Sequence, residues 1–295
     1  MPIGSLKIKK AEPKLELLPF LKEKIAIVDG DVICYQSCPP RQKLMIDENE
    51  ELVRLGPDGK RAVREFTPEE DEAYIEQSWL NLKYNLTNLA DKLWCDDALI
   101  AVGGGPNFRD TLFPEYKAHR SYNPAFKNIA VPVLRKRAVD SGIAVFADGL
   151  EADDLLRIWA GEASRIGQDY VICSIDKDLL CIPGEHYLMH KGKEQTITVS
   201  QAEADRHYYE QILSGDSTDN IPGVPGIGPK KAIKALADCV TNDEMEHKIV
   251  EMYFDAYGPG EWRNALLING KLIHILAHES DYFTLDNWRA AKELD

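Results

Sequence analysis

Hydrophobic positions along this chain fall into short continuous runs that end in acidic or glycine-rich turns and give way to helix-like stretches. Residues 25–28 (IAIV) run into Asp29-Gly30-Asp31, residues 98–102 (ALIAV) into Gly103-Gly104-Gly105, and residues 170–175 (YVICSI) into Asp176-Lys177-Asp178. A fourth run, IAVF at 143–146, precedes GLEADDLLRIWA. This alternation predicts strands that cross over through helices, an α/β fold with a mostly parallel central sheet. In such sheets ligands lodge outside the carboxyl ends of the strands, where the acidic turns collect here. Residues 39–72 break the rhythm: an EELVRL half, the turn PDGK and an RAVREF half predict a β-hairpin ahead of a helix over about 68–93. After residue 185, HYLMH and QTITV read as another hairpin, and Ser200 with Glu203 forms a capping box that opens the next helix. From there the pattern is helical to the end, apart from a Gly/Pro-rich stretch at 215–229. The organisation expected is an N-terminal extension (1–24), an α/β core (25–185) and a helical region (186–295).

Composition narrows the class. With 295 residues, 44% hydrophobic and 28% charged, the chain can bury a full core without disulfide staples. A formal net charge of -14 argues against a general polyanion binder. No run approaches the roughly 20 apolar residues of a membrane span, and the N-terminal residues lack a cleavable leader pattern, so a cytoplasmic protein without membrane partners is expected. The six cysteines form no CxxC pair; they read as small hydrophobes rather than as a zinc or disulfide frame.

The candidate chemistry lies in the acidic turns: Asp29, then Glu151, Asp153 and Asp154 in GLEADD, then Asp176 and Asp178 in SIDKD, then Asp216 and Asp219 in SGDSTDN. Each cluster alone has an ordinary reading, because carboxylates suit helix N-termini and solvated turns. Gathered into one cleft they would repel at roughly 4 kcal/mol per pair about 4 Å apart, and hard divalent cations would be needed. Oxygen donors without His or Cys favour Mg2+ or Mn2+ over zinc. Two such ions can clamp the attacking and leaving oxygens of a phosphodiester.

Two further segments point to a polyanion held locally. In GDSTDNIPGVPGIGPKKAIKAL (215–236), Gly226 and Gly228 allow close approach of backbone amides to an anion, and Lys230 and Lys231 enter the first turn of a helix opened by Pro229. The spacing is like that of a helix-hairpin-helix, placed at about 207–238, which contacts nucleic-acid backbone without reading sequence. Residues 115–137 hold Lys117, Arg120, Lys127, Arg135, Lys136 and Arg137 against one acid, Glu115, with Tyr116, Tyr122 and Phe126 interleaved. Phosphate attraction combined with base stacking holds single strands in this way.

VDGD at 28–31, PEYKAHR at 114–120, GLEADD at 149–154, SIDKDLL at 174–180 and GDSTDNIPGVPGIGPKKA at 215–232 together resemble the flap endonuclease and 5′-exonuclease family, particularly its compact bacteriophage members and the exonuclease domain of bacterial DNA polymerase I. The resemblance implies a PIN-like nuclease core, a helical arch at about 115–140, and a helix-hairpin-helix that carries K+ on DNA. It implies two divalent ions, Mg2+ or Mn2+: Asp29, Glu151, Asp153 and Asp154 would serve the first, Asp176 would bridge, and Asp178, Asp216 and Asp219 would complete the second. Lys117 and Arg120 would steer the scissile phosphate, with Tyr116 beside them, and Asp153 and Asp176 would be central to catalysis. DNA contacts would come from Tyr116, Lys117, Arg120, Arg135, Lys136, Arg137, Gly226, Gly228, Lys230 and Lys231. The implied activity is hydrolysis of DNA at 5′ ends, flaps or nicks by metal-activated water, in replication or repair, by a monomer.

Two positions depart from the family pattern. Many relatives place an Asp after the strand that here ends in Gly103-Gly104-Gly105, with Asp110 seven residues beyond Gly103, and many carry an Arg where this chain has Gln36. Two other readings stand beside the nuclease: a branched-DNA-binding relative that has lost catalysis, and a haloacid-dehalogenase-type phosphohydrolase with Asp29 as nucleophile, suggested by IAIVDGDVI.

Overall fold

The computed structural model describes residues 23–39, 45–46, 52–53, 67–118 and 128–293. Strand β1 (Ile25–Asp29) lies at the centre of a six-stranded sheet with β4 (Asp97–Val102) on one side and β6 (Tyr170–Ser174) on the other, both parallel to it. Beyond β4 lies β5 (Val145–Phe146), and beyond β6 lie β7 (Gly184–Leu188) and β8 (Gln195–Val199), of which only β8 runs antiparallel to its neighbour. Strands that follow β1 in the chain thus flank it on both sides, and the crevice at this switch point opens at the strands' carboxyl ends. A boundary at residue 185 would fall inside β7: the sheet carries through to Val199.

The apolar runs are uninterrupted because both faces of the sheet are covered. Ala26 and Val28 pack with Ile100, Val102, Val171 and Cys173 against α1 (Gly30–Gln36), α2 (Pro68–Leu93) and α4 (Ala130–Asp140). Ile25 and Ile27 face the other way with Ala101 and Ile172, against Leu155, Leu156 and Trp159 of α5 (Ala152–Ile166). A third cluster holds the C-terminal helices together: α6 (Gln201–Ser214), α7 (Pro229–Leu236), α8 (Asn242–Tyr257) and α9 (Trp262–Ile273) pack around Ile212, Ile249, Tyr253, Trp262 and Leu266. The short α3 (Phe108–Leu112) and α10 (Arg289–Glu293) complete the helices described.

The helix expected at about 68–93 spans Pro68–Leu93, fixed by Pro at its start and a reciprocal Thr67–Glu70 capping box. Of the hairpin expected around PDGK, Leu52–Val53 forms β3, which pairs antiparallel with β2 (Met45–Ile46), while the PDGK turn and the RAVREF half lie outside the described residues. The middle of the expected arch, residues 119–127, also lies outside them. All six cysteines are free. Among the described residues no helix is long and apolar enough to cross a membrane.

Candidate active site

Asp29 ends β1 and also caps α1: one carboxylate oxygen accepts from the amides of Asp31 (3.1 Å) and Val32 (3.0 Å), and the other from the Ser174 hydroxyl (2.7 Å). Ser174 closes β6, and its oxygen also accepts the Asp176 amide at 3.0 Å, so one hydroxyl ties the ends of two adjacent strands together. Asp176 in turn caps the short helical turn Lys177–Cys181 by accepting the Asp178 amide at 2.9 Å. Glu151 caps α5 and puts Asp153 in its first turn. These side chains meet in a cleft of about 430 Å3 lined by Asp29, Asp31, Glu151, Asp153, Asp176, Asp178 and Asp219, with Gly103, Gly104 and Gly105 on its floor and Lys117 and Arg135 reaching in.

The cleft strains against its own charge. Burial raises the Asp29 pKa to about 6 despite the Ser174 bond, with Asp31 and Asp176 adding repulsion. Asp153 is pushed well up by burial and by Asp29, Asp176 and Glu151. Asp178 rises to about 7 through burial, then Asp176 and Asp216. Carboxylates that hold protons near neutrality are short of cations, and oxygen donors alone suit a hard divalent ion. Among the described residues no three Asp, Glu, His or Cys side chains form a ready-made chelating group. Side-chain cations stand in the cleft instead: the Lys117 ammonium donates to Glu151 at 2.6 Å and lies 3.5 Å from Asp219, and Arg135 Nε lies 2.7 Å from Asp31.

The structure places several expected residues differently. Asp154 is fully buried, and both its oxygens are taken: Arg109 forks onto them at 2.8 Å each, while the amides of Leu276 and Glu151 donate at 3.0 Å. It therefore fixes the α5 start instead of entering the cleft. Tyr116, expected against DNA, is buried among the C-terminal helices because its ring belongs to their core; its hydroxyl donates to Glu151 at 2.9 Å. Asp216 is buried behind the cleft, accepting the Thr218 amide at 2.6 Å and bonded to Asp178. Asp219 lines the same cleft beside Lys117 and Tyr116. Asp110 accepts the Asn107 amide at 2.9 Å to cap α3 and also lines the cleft.

Of the expected DNA contacts, Arg135 enters the cleft, whereas Lys136 pairs with Asp140 and Arg137 with Glu76 of α2. Arg120 lies outside the described residues. Gly226, Gly228, Lys230 and Lys231 are exposed at the turn into α7, where Gly226 has φ 75° and Lys231 donates to its carbonyl at 2.8 Å. Gln36 donates to the Met189 carbonyl at 2.7 Å. Sequence reasoning missed Asp31, Ser174, Arg109 and Gln211, which donates to Asp178 at 2.7 Å. Asp31 and Ser174 carried a signal, since both stand inside the strand-end turns already singled out. Arg109 and Gln211 carried none, because their partners are far away in sequence.

Comparison with known proteins agrees with this geometry. Residues 77–210 match the profile of the 5'-3' exonuclease, N-terminal resolvase-like domain. The chain is 30% identical over 228 residues to the 5'-3' exonuclease of Buchnera aphidicola, covering 74% of this chain and 72% of that protein. It is 31% identical over 169 residues to the DNA polymerase I of Chloroflexus aurantiacus, covering 52% of this chain and only 18% of the polymerase. In fold it resembles a T5 protein co-crystallised with metal ions, with a TM-score of 0.56 at 14% identity over 85% of this chain and 89% of the other. A strand-end cleft of carboxylates, a matching domain profile and a relative aligned over most of its length converge, and the chain belongs to the 5'-3' exonuclease family.

Proposed function

We propose that this protein is a divalent-metal-dependent, structure-selective 5′ nuclease that hydrolyses DNA phosphodiesters at 5′ ends, flaps or nicks, acting as a cytoplasmic monomer in replication or repair. The observation that carries the reading is the single cleft in which Asp29, Asp31, Glu151, Asp153, Asp176, Asp178 and Asp219 meet beside Lys117. Asp29, Glu151, Asp153 and Asp176 would hold one ion, and Asp176 with Asp178 a second, with Asp216 and Asp154 supporting from behind. Bound there, Mg2+ or Mn2+ would activate water and neutralise charge on the scissile phosphate.

The protein's own residues supply the rest. Lys117, held at φ 53° with its amide on the Asp219 carbonyl (3.0 Å), presents its ammonium at the cleft mouth, where it can meet a phosphate oxygen and offset charge developing in the transition state. Tyr116 and Arg109 hold Glu151 and the α5 terminus in place for it. Ser174 fixes the relative position of Asp29 and Asp176, two of the carboxylates that would hold the first ion. The exposed Gly226–Gly228 turn with Lys230 and Lys231 would grip duplex backbone as a helix-hairpin-helix, and its residues would hold K+.

Membership of the 5'-3' exonuclease family favours the nuclease over the haloacid-dehalogenase reading. The test is cleavage of 5′-labelled flap, nicked and blunt DNA with and without Mg2+. Short products are expected only with the ion, and Asp153→Ala and Asp176→Ala should each abolish them while DNA binding survives. Normal cutting by either variant overturns the metal assignment.

A further inference from the structure

The turn after β4 carries glycine at 103, 104 and 105, so these three positions send no side chain into the cleft, which Asn107 and Asp110 line further along the chain. The space is filled from the first turn of α1. The Gly103 amide donates to both oxygens of Asp31 at 3.3 Å, and a Cβ on Gly103 would come 3.3 Å from Asp31 Oδ2. A Cβ on Gly104 would come 3.1 Å from Nη1 of Arg135, the residue that meets Asp31 from α4. The bare turn and the Asp31–Arg135 pair therefore claim the same volume: a side chain at 103 or 104 would press on the pair.

The two Arg–Asp pairs beside the cleft differ in kind. Arg109 and Asp154 are 2% and 0% exposed, joined by two aligned hydrogen bonds, with the Leu272 and His274 carbonyls taking other guanidinium protons. That pair is built in. Arg135 and Asp31 are each 30% exposed and approach to 2.7 Å through Arg135 Nε. A partly exposed contact of that kind is weak, and a competing cation can replace it.

We propose that Asp31 is a metal-site carboxylate of this chain, supplied by α1 in place of the side chain that the glycine turn lacks, and that Arg135 is its displaceable counter-ion. Asp31 lies in the same cleft as Asp29, Glu151, Asp153 and Asp176, so its carboxylate adds a fifth oxygen group to the first ion's surroundings. Because Arg135 belongs to α4 and lines the cleft, releasing it frees a guanidinium that can meet a phosphate oxygen. Ion entry and the capture of DNA would then be linked through one side chain.

This inference rests on the nuclease reading, and the experiment separates the two. Mn2+ is titrated into the full chain without DNA, by calorimetry or water-proton relaxation, for wild type, Asp31→Asn, Arg135→Gln and Asp153→Asn. Loss of even outer-shell partners costs metal sites about tenfold or more, so Asp31→Asn should weaken Mn2+ by at least that factor, whereas Arg135→Gln, which removes a competitor, should tighten it. Opposite signs are the signature: a merely structural pair would make both variants shift the same way, and that result overturns the proposal. Wild-type uptake left unchanged by Asp31→Asn but lost in Asp153→Asn overturns the role of Asp31 alone. No Mn2+ uptake by wild type overturns the metal-site reading and this inference with it.

Discussion

Asp178 holds its proton to about pH 7, because burial and the facing Asp176 and Asp216 outweigh the lysine next to it. In the unfolded chain an Asp ionises near 3.9. A group whose pKa is raised by folding favours the native state below the unfolded value, and that advantage is lost as pH climbs through the folded one. Metal-free protein should therefore lose stability from this residue between about pH 4 and pH 7. The expected outcome is that Asp178→Asn gains stability relative to wild type across this window in EDTA, read by urea unfolding, and that added Mg2+ shrinks the gain. A difference that is flat in pH would show that the carboxylate is not held protonated. Arg109 presents the opposite case, a charge stabilised outright by a forked partner and two carbonyls. Arg109→Ala leaves Asp154 buried and unpaired, at a cost of about 3–5 kcal/mol; a urea-derived loss under about 1 kcal/mol would contradict the geometry. Asp154 was visible in the sequence as an acid in a helix's first turn, yet its role was not, because Arg109 reaches it from α3 across 45 positions of chain.

Elements whose signals are local were legible, and those set by distant packing were not. β1, β4 and β6 stood out because strands covered on both faces must be apolar throughout, and α2 because a capping box and a proline mark its start. The β7–β8 hairpin was also visible, but not that β7 would pair with β6 and extend the parallel sheet past the expected boundary. Only long-range pairing settles where a sheet ends. The same distinction separates the glycines of the segment between α6 and α7. Gly215 has φ 62°, and a Cβ there would run into the Ile221 carbonyl and the backbone of Pro222 and Gly223; Gly226 has φ 75° with nothing within 4 Å of where its Cβ would stand. With ψ -166°, Gly215 lies in a backbone region adopted essentially by glycine alone, which costs a side chain about 1–3 kcal/mol. Gly215→Ala adds collisions beneath Asp216, so it should lower the unfolding midpoint clearly more than Gly226→Ala does, and calorimetric scans of both variants check the order. Equal losses would mean that the tight crossing at Gly215 is not required.

At the scale of the molecule the question is how a chain of net charge -14 holds a polyanion. Two arrangements make opposite predictions. If DNA met the average field of the protein, salt would screen the repulsion and binding would strengthen as salt rose. If it meets cations gathered in places, counterions are released from the phosphates and binding weakens with salt. The structure favours the second arrangement: Lys117 stands at the mouth of the cleft, and Lys230 and Lys231 are exposed at the glycine turn into α7, a separate and independent foothold. Three phosphate contacts from these lysines give a slope of about -2.7 in log affinity against log salt, roughly fortyfold between about 50 and 200 mM. Fluorescence anisotropy with a flap duplex and Asp153→Ala, which should bind without cutting, measures it. Lys230→Ala with Lys231→Ala should make the slope shallower by about two contacts' worth while leaving the unfolding midpoint unchanged, because both side chains project from the surface. A slope near zero in the parent would place the DNA grip outside these lysines, and a slope of opposite sign would return the molecule to its mean charge.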